Sequence, residues 1–326
     1  MARHSPAPAL DRAAGHGQTC GAAGLGAAYV GEDWVLVVDG VADYARSEAI
    51  APFLLLAQPG MRLTVHTPLG LLTDTTVTRH RAGSLSNVPA PAPGAAFLYF
   101  DPLSPAGRAL QAAGAAVAGC AEPTGLPWSA AWFDRLLRAE AQPDEVRDWL
   151  QALVQVLGLF DPLRARPVDR RVRSVARRLA ADVDGRLQLA GLAAEVHWSP
   201  EHLRKAFSQA AGVSLSRYQM WCRITRLLGW GGVGMTLRAA MPGDSTRLLQ
   251  AAGLYDAPHG SRVIRRYLGV SMAQITRDRR PVRPCMAPAG ELSHPQAESG
   301  PGLANDRSCA PATWNAVSAP AGRRRR

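Results

Sequence analysis

A chain of 326 residues with 47% apolar residues can bury the cores of two domains, and no stretch approaches the ~20 uninterrupted apolar residues that a bilayer span requires. The formal net charge of +11, carried by arginine apart from Lys205, favours a polyanionic partner, nucleic acid ahead of anionic lipid. The five cysteines, Cys20, Cys120, Cys222, Cys285 and Cys309, are odd in number and never spaced C-x-x-C, which excludes a zinc ribbon and a disulfide framework.

Residues 1–26 are rich in Ala, Gly and Pro without a period, and Met1 to Gly17 lack an apolar signal core. They are expected to form a disordered tail on a cytoplasmic protein. Short runs of bulky apolar residues follow at Trp34–Asp39, Phe53–Leu56, Met61–Thr67, Leu71–Val77 and Ala95–Phe100, separated by turns such as Pro59-Gly60 and Pro68-Leu69-Gly70. Short strands at near-regular spacing predict a small barrel or sandwich.

Beyond Pro105 the period becomes helical over Ala106–Val117, Trp128–Glu140 and Asp144–Leu157. In the last of these, Val146, Trp149, Leu150, Leu153 and Val156 form one stripe, read as core or alternatively as a dimer seam. Asp161-Pro162 and Arg166-Pro167 interrupt the chain, because proline disfavours helix at the residue before it. The predicted domains are therefore 27–163 and 168–278, followed by a disordered basic tail over 281–326 that ends in Arg323-Arg324-Arg325-Arg326.

From Val168 the pattern is helical. Val168–Ala181 turns Val172, Val175 and Leu179 to one side and spreads arginines over the rest, and Leu189–Val196 buries Leu189, Leu192, Ala193 and Val196. At the next junction Ser199 can cap a helix, Pro200 suits its first turn and Glu201 faces the positive end of the dipole. That helix buries Leu203, Ala206 and Phe207 and leaves Glu201, His202, Arg204 and Lys205 outward. Two short helices joined by a tight turn, the second basic on its outer face, fit a B-DNA major groove.

After Gly212-Val213-Ser214 a further helix spans Leu215–Leu228, with basic positions at Arg217, Arg223 and Arg226. The pattern then recurs. Ser245 can cap Thr246–Ala252, Gly253 permits a sharp turn, Asp256 can cap a basic helix from Ala257 to Tyr267, and Gly269-Val270-Ser271 repeats the earlier exit.

These residues resemble the DNA-binding domain of the AraC family. Its first motif is matched by Leu189, Leu192-Ala193, Trp198-Ser199, Leu203, Lys205, Phe207, Gly212 and Ser214, and its second by Gly253-Leu254, Asp256, His259, Arg262, Ile264, Gly269 and Ser271. The resemblance implies a sequence-specific transcription regulator of bacterial type that reads two adjacent major-groove segments of double-stranded DNA. It implies a first recognition helix with Glu201, His202, Arg204 and Lys205 towards the groove, and a second with Pro258, His259, Ser261, Arg262 and Arg265. Arg262 and Lys205 are the foremost of these, since a long cation reaches either a guanine edge or a phosphate.

The chain departs from the family at Gly260 (usually Phe), Met272 (Pro) and Ile275 (aromatic), and at Gly229-Trp230-Gly231-Gly232-Val233-Gly234 with Pro242-Gly243, where the family has a continuous linker helix. Each of those glycines costs a helix about 1 kcal/mol relative to alanine, so a broken or lengthened linker is expected.

The fold class expected is thus α+β: a small β-barrel, cupin-like, with helices, followed by an all-α domain with two helix-turn-helix units. The resemblance further implies a small-molecule effector and leaves room for RNA polymerase and a homodimer partner. His66 and His80 stand alone and no H-x-H occurs, so neither metal nor cofactor is expected, and no catalytic set emerges. The alternative reading is a metal-dependent cupin enzyme with an accessory helical domain.

Overall fold

The computed structural model describes residues 26–40, 42–113, 117–120, 125–159, 167–182, 187–227, 245–254, 257–269, 271–272, 281–285 and 315–316. It is a mixed α+β structure, sheet-rich first and helical after. Of the tail expected over 1–26, Gly26 begins a strand and residues 1–25 lie outside the described residues, as do the linker glycines at 229–234, Asp256 and Ile275.

The strands are β1 (Gly26–Val30), β2 (Trp34–Asp39), β3 (Ala42–Glu48), β4 (Phe53–Ala57), β5 (Leu63–Thr67), β6 (Gly70–Thr75), β7 (Val77–His80), β8 (Leu85–Ala92), β9 (Ala95–Phe100), β10 (Val117–Cys120), β11 (Val282–Pro284) and β12 (Asn315–Ala316). They form an eight-stranded sheet in the order β11-β1-β2-β9-β4-β7-β10-β12 and a four-stranded sheet in the order β3-β8-β5-β6. Among the described residues both sheets have free ends, so of the barrel or sandwich expected, the barrel is not closed and the arrangement is an open pair of sheets.

The central strands read as continuous apolar runs because both faces of the larger sheet are covered. Ala27, Tyr29, Leu36, Val38, Leu54, Leu56, Ala96 and Leu98 pack with Leu110, Phe133, Leu136, Trp149 and Leu153 of the first helices. The alternate residues Ala28, Val30, Val35, Val37, Phe53, Leu55, Ala95 and Phe97 share a core with Leu63, Val65, Leu72 and Val88 of the smaller sheet. On β6 only Leu72 and Thr75 are buried, which leaves one face of that edge strand to solvent.

Helices α1 (Pro105–Ala112), α2 (Ala130–Leu137) and α3 (Pro143–Val156) lie on the outer face of the large sheet. Ser104 and Ser129 cap the first two, accepting from the Gly107 and Trp132 amides, and a Gln142/Glu145 capping box starts the third. Val146, Trp149, Leu150 and Leu153 of α3 are buried in this core and Val156 is half-buried, so the stripe packs as core. Two expectations are corrected here. Val117 begins a strand and does not end a helix, because it pairs with His80 of β7. Val282–Pro284, inside the segment read as a tail, pair in parallel with Ala28–Val30, and Cys285 is buried beside them.

The helical half comprises α4 (Arg170–Ala181), α5 (Leu189–Glu195), α6 (Pro200–Ala211), α7 (Leu215–Leu227), α8 (Ser245–Ala251) and α9 (Ala257–Leu268). Its interior is continuous with the inner face of the large sheet: Val172, Leu192, Leu203, Phe207, Tyr218, Trp221, Leu249 and Ile264 belong to the same apolar cluster as Phe53 and Phe97. Tyr99 of β9 and Trp221 of α7, with ring centroids 6.1 Å apart, join the two parts. At Gly260 α9 packs closely on α8: a Cβ there would stand 2.6 Å from Cδ2 of Leu249, so a larger residue would require that side chain to shift.

Candidate nucleic-acid interface

The α5–α6 junction is built as its residues dictate. Val196 and His197 turn the chain, His197 in the left-handed region at φ 56°, and the Ser199 hydroxyl then accepts from the His202 amide at 3.1 Å. Pro200 occupies the first helical turn, and Gly212, at φ 65°, ends α6 with its amide donating to the Ser208 carbonyl. Leu203, Phe207 and Ala211 are buried, whereas Glu201, His202, Arg204 and Lys205 are exposed. The four predicted residues of this helix therefore share its free side. Ala206, expected in the core, is only half-buried.

A second short helix, α8, is likewise followed by a longer one, α9. Gly253, at φ 80°, makes the turn after α8, and α9 buries Gly260, Val263 and Ile264 while Pro258, His259, Ser261, Arg262 and Arg265 are exposed. Among the described residues, Arg204, Lys205, Arg262 and Arg265 have no acidic partner. They are thus electrostatically uncommitted, as a phosphate- or base-edge-seeking cation should be.

Other cations are committed to the fold. Arg178 of α4 makes a two-pronged contact with Glu195 of α5, at 3.0 Å for both nitrogens. Arg171 accompanies the Asp169 carboxylate that caps α4, and its guanidinium lies over the Trp198 indole. On α7, the predicted basic positions Arg217 and Arg226 turn inward. Arg226 is 5% exposed and donates to the Ala180 carbonyl at 2.7 Å. Arg217 donates to the Ala49 carbonyl at 3.0 Å and to the Glu48 carboxylate.

Contacts between the helical half and the sheets were not foreseen from the sequence. Glu48, at the end of β3, receives Arg217 from α7 and Arg266 from α9, the latter through Nε at 2.7 Å. Burial works against the charged Glu48 carboxylate, but the two guanidinium hydrogen bonds outweigh it and lower its pKa below the ordinary value. The Tyr218 hydroxyl donates to Asp101 at 2.9 Å, and Gln111 of α1 donates to the Gly212 carbonyl at 2.9 Å. No local spacing marks these pairs, which are separated by 101 to 218 positions. Trp198 did carry a signal, as a bulky apolar residue immediately before a helix cap.

Two adjoining cavities share Ser86 and Asn87: the outer lies on the sheet-rich half, the inner between the sheets and α9. The outer, about 130 Å³, is bordered by Arg46, His66 and Leu85. The inner, about 20 Å³, is enclosed by Phe53, Leu55, Phe97, Tyr99, Tyr267 and Leu268 and has His80 on its wall. His80 is stacked on Phe53 at 4.1 Å, with Nε2 2.9 Å from the Thr78 hydroxyl, and burial pushes its pKa down to about 3. The ring is therefore neutral. Among the described residues no group of three or more His, Cys, Asp or Glu side chains converges as a metal site would require, and no helix is long and apolar enough to cross a membrane.

No protein-family model matches the chain. No curated protein matches it either. Solved structures similar to it include ToxT from Vibrio cholerae O395, at 7% identity and a TM-score of 0.49, covering 75% of this chain and 97% of that one. An unsaturated-fatty-acid-bound ToxT from strain SCE256 of the same organism is similar at 11% identity and a TM-score of 0.46, covering 76% and 96% of the two chains. The C-terminal domain of AraT, a response regulator from Geobacillus stearothermophilus, is similar at 17% identity and a TM-score of 0.31, covering 41% of this chain and all of that one.

Proposed function

We propose that the chain is a sequence-specific DNA-binding regulator of transcription, of the AraC type, that inserts α6 and α9 into successive major-groove segments. The observation that carries this reading is a repeated one. Each helix follows a short partner through a tight turn, buries an apolar side and leaves uncommitted cations on the other: Arg204 and Lys205 on α6, Arg262 and Arg265 on α9. Residues 168–278 would then be the reading domain and the sheet-rich half the sensor, with the adjoining cavities as the place for a small-molecule effector. RNA polymerase and a second copy of the chain remain partners of this reading.

The test is enrichment of duplexes from a random-sequence pool by the full chain, followed by affinity measurements on the enriched sequence with Lys205→Ala and Arg262→Ala. A base-contacting Arg262 predicts a loss of about 1–3 kcal/mol and a relaxed preference at one base pair. A phosphate-contacting Lys205 predicts a uniform loss with a salt slope smaller by about one. An unenriched pool, or variants with unchanged footprints, would contradict the reading.

A further inference from the structure

The last turn of α9 is held by the sheet-rich half through one acidic side chain. The Glu48 side chain is 11% exposed and its two oxygens are divided between Arg217 and Arg266. Tyr267 lies beside both cations, its ring centroid 5.8 Å from the Arg217 guanidinium carbon and 5.2 Å from that of Arg266. Tyr267 and Leu268 in turn form the wall of the inner cavity that faces Phe53, Phe97 and Tyr99.

We propose that Glu48 is a positioning residue for the second recognition helix: by holding Arg217 and Arg266 it ties the last turn of α9 to β3 and sets how that helix is presented. The proposal rests on the reading of α9 as a DNA-reading helix only for its consequence, and its mechanical part can be tested without DNA. Arg266, 61% exposed, stands one turn beyond Arg262 on the same stripe of α9, whereas Tyr267 and Leu268 are half-buried, so the tie holds the C-terminal end of the helix and leaves Pro258, His259, Ser261, Arg262 and Arg265 exposed. Glu48 itself is an anion in the sheet-rich half and makes no favourable contact with phosphate. An effect of its replacement on DNA binding must therefore act through the helices it holds.

The experiment is amide hydrogen exchange on the full chain, comparing wild type with Glu48→Gln and Arg266→Gln. The second variant changes a side chain that is 61% exposed and keeps the Glu48–Arg217 pair, so it carries the test should Glu48→Gln fold poorly. The expected result is about tenfold faster exchange across 257–268, the effect of losing one charge-assisted tie, with 200–211 unchanged. Unchanged exchange in α9, or an equal rise in α6 and α9, would overturn the proposal. On a duplex enriched by the wild type, Glu48→Gln should bind about tenfold more weakly, with protection lost only from the segment covered by α9. Uniform loss of protection over both segments would also overturn it. Failure of the wild type to enrich any duplex would remove the DNA reading and leave the exchange experiment to decide the tie.

Discussion

The guanidinium of Arg171 lies 4.2 Å from the ring centroid of Trp198, and the His202 ring meets the same indole edge-on with centroids 4.7 Å apart. A residue of α4 and the first turn of α6 are thus joined through one half-buried aromatic, which fixes how a candidate groove-facing histidine leaves its helix. Replacing Trp198 with Ala is expected to lower unfolding stability by about 1–3 kcal/mol in urea titrations. Trp198→Phe should retain most of it, and equal losses for the two variants would show that the aromatic stack is not what holds the turn.

The Tyr218–Asp101 hydrogen bond spans the two halves at a residue that is 5% exposed. Tyr218→Phe keeps the ring against Phe207, at 5.2 Å, but leaves Asp101 without that donor. The expected destabilisation is about 1–2 kcal/mol. Calorimetry should show it as a loss of cooperativity between the halves, and an unaltered single transition at the wild-type temperature would argue against the contact.

His80 predicts a pH dependence. Its pKa falls from 6.5 to about 3 on folding because burial disfavours the imidazolium, so the unfolded chain binds the proton more readily than the folded one. Its contribution to stability is complete above 6.5 and is lost as pH falls towards about 3. The slope from one such group is at most about 1.4 kcal/mol per pH unit. Comparing unfolding free energies of wild type and His80→Gln across pH 7 to 4, on the order of that slope, should show a flatter profile for the variant. Parallel profiles would mean that the ring titrates normally.

How far the fold was legible depended on whether an element's pattern was local. β2 and β9 were legible to the residue, because strands buried on both faces are short unbroken apolar runs. The α6 start was legible because Ser199, Pro200 and Glu201 encode a cap and a first turn by themselves. β3 and β8 were missed: Ala42–Glu48 and Leu85–Ala92 are polar or proline-bearing and become strands through pairing with each other, with register shifts at Tyr44. β11 was missed for a similar reason, since Val282–Pro284 are a strand only because β1 offers an open edge.

The candidate site divides along the same line. The outward positions of α6 and α9 follow from a 3.6-residue period that the chain carries locally, and all nine predicted residues are exposed. Arg217 and Arg226, read from the sequence only as basic positions of α7, are claimed by tertiary partners at Glu48, Ala49 and Ala180. No spacing along the chain distinguishes an arginine that seeks phosphate from one that meets a carboxylate 169 positions away.

The central claim is that the free cations of α6 and α9 bind a duplex, and the salt dependence of affinity for an enriched sequence tests it most directly. With up to about four phosphate contacts from Arg204, Lys205, Arg262 and Arg265, affinity should fall by about 10²-fold between 50 and 200 mM salt, and Arg262→Ala should cost about 1–3 kcal/mol with altered preference at one base pair. An affinity insensitive to salt, or one untouched by substitutions on both helices, would contradict the account.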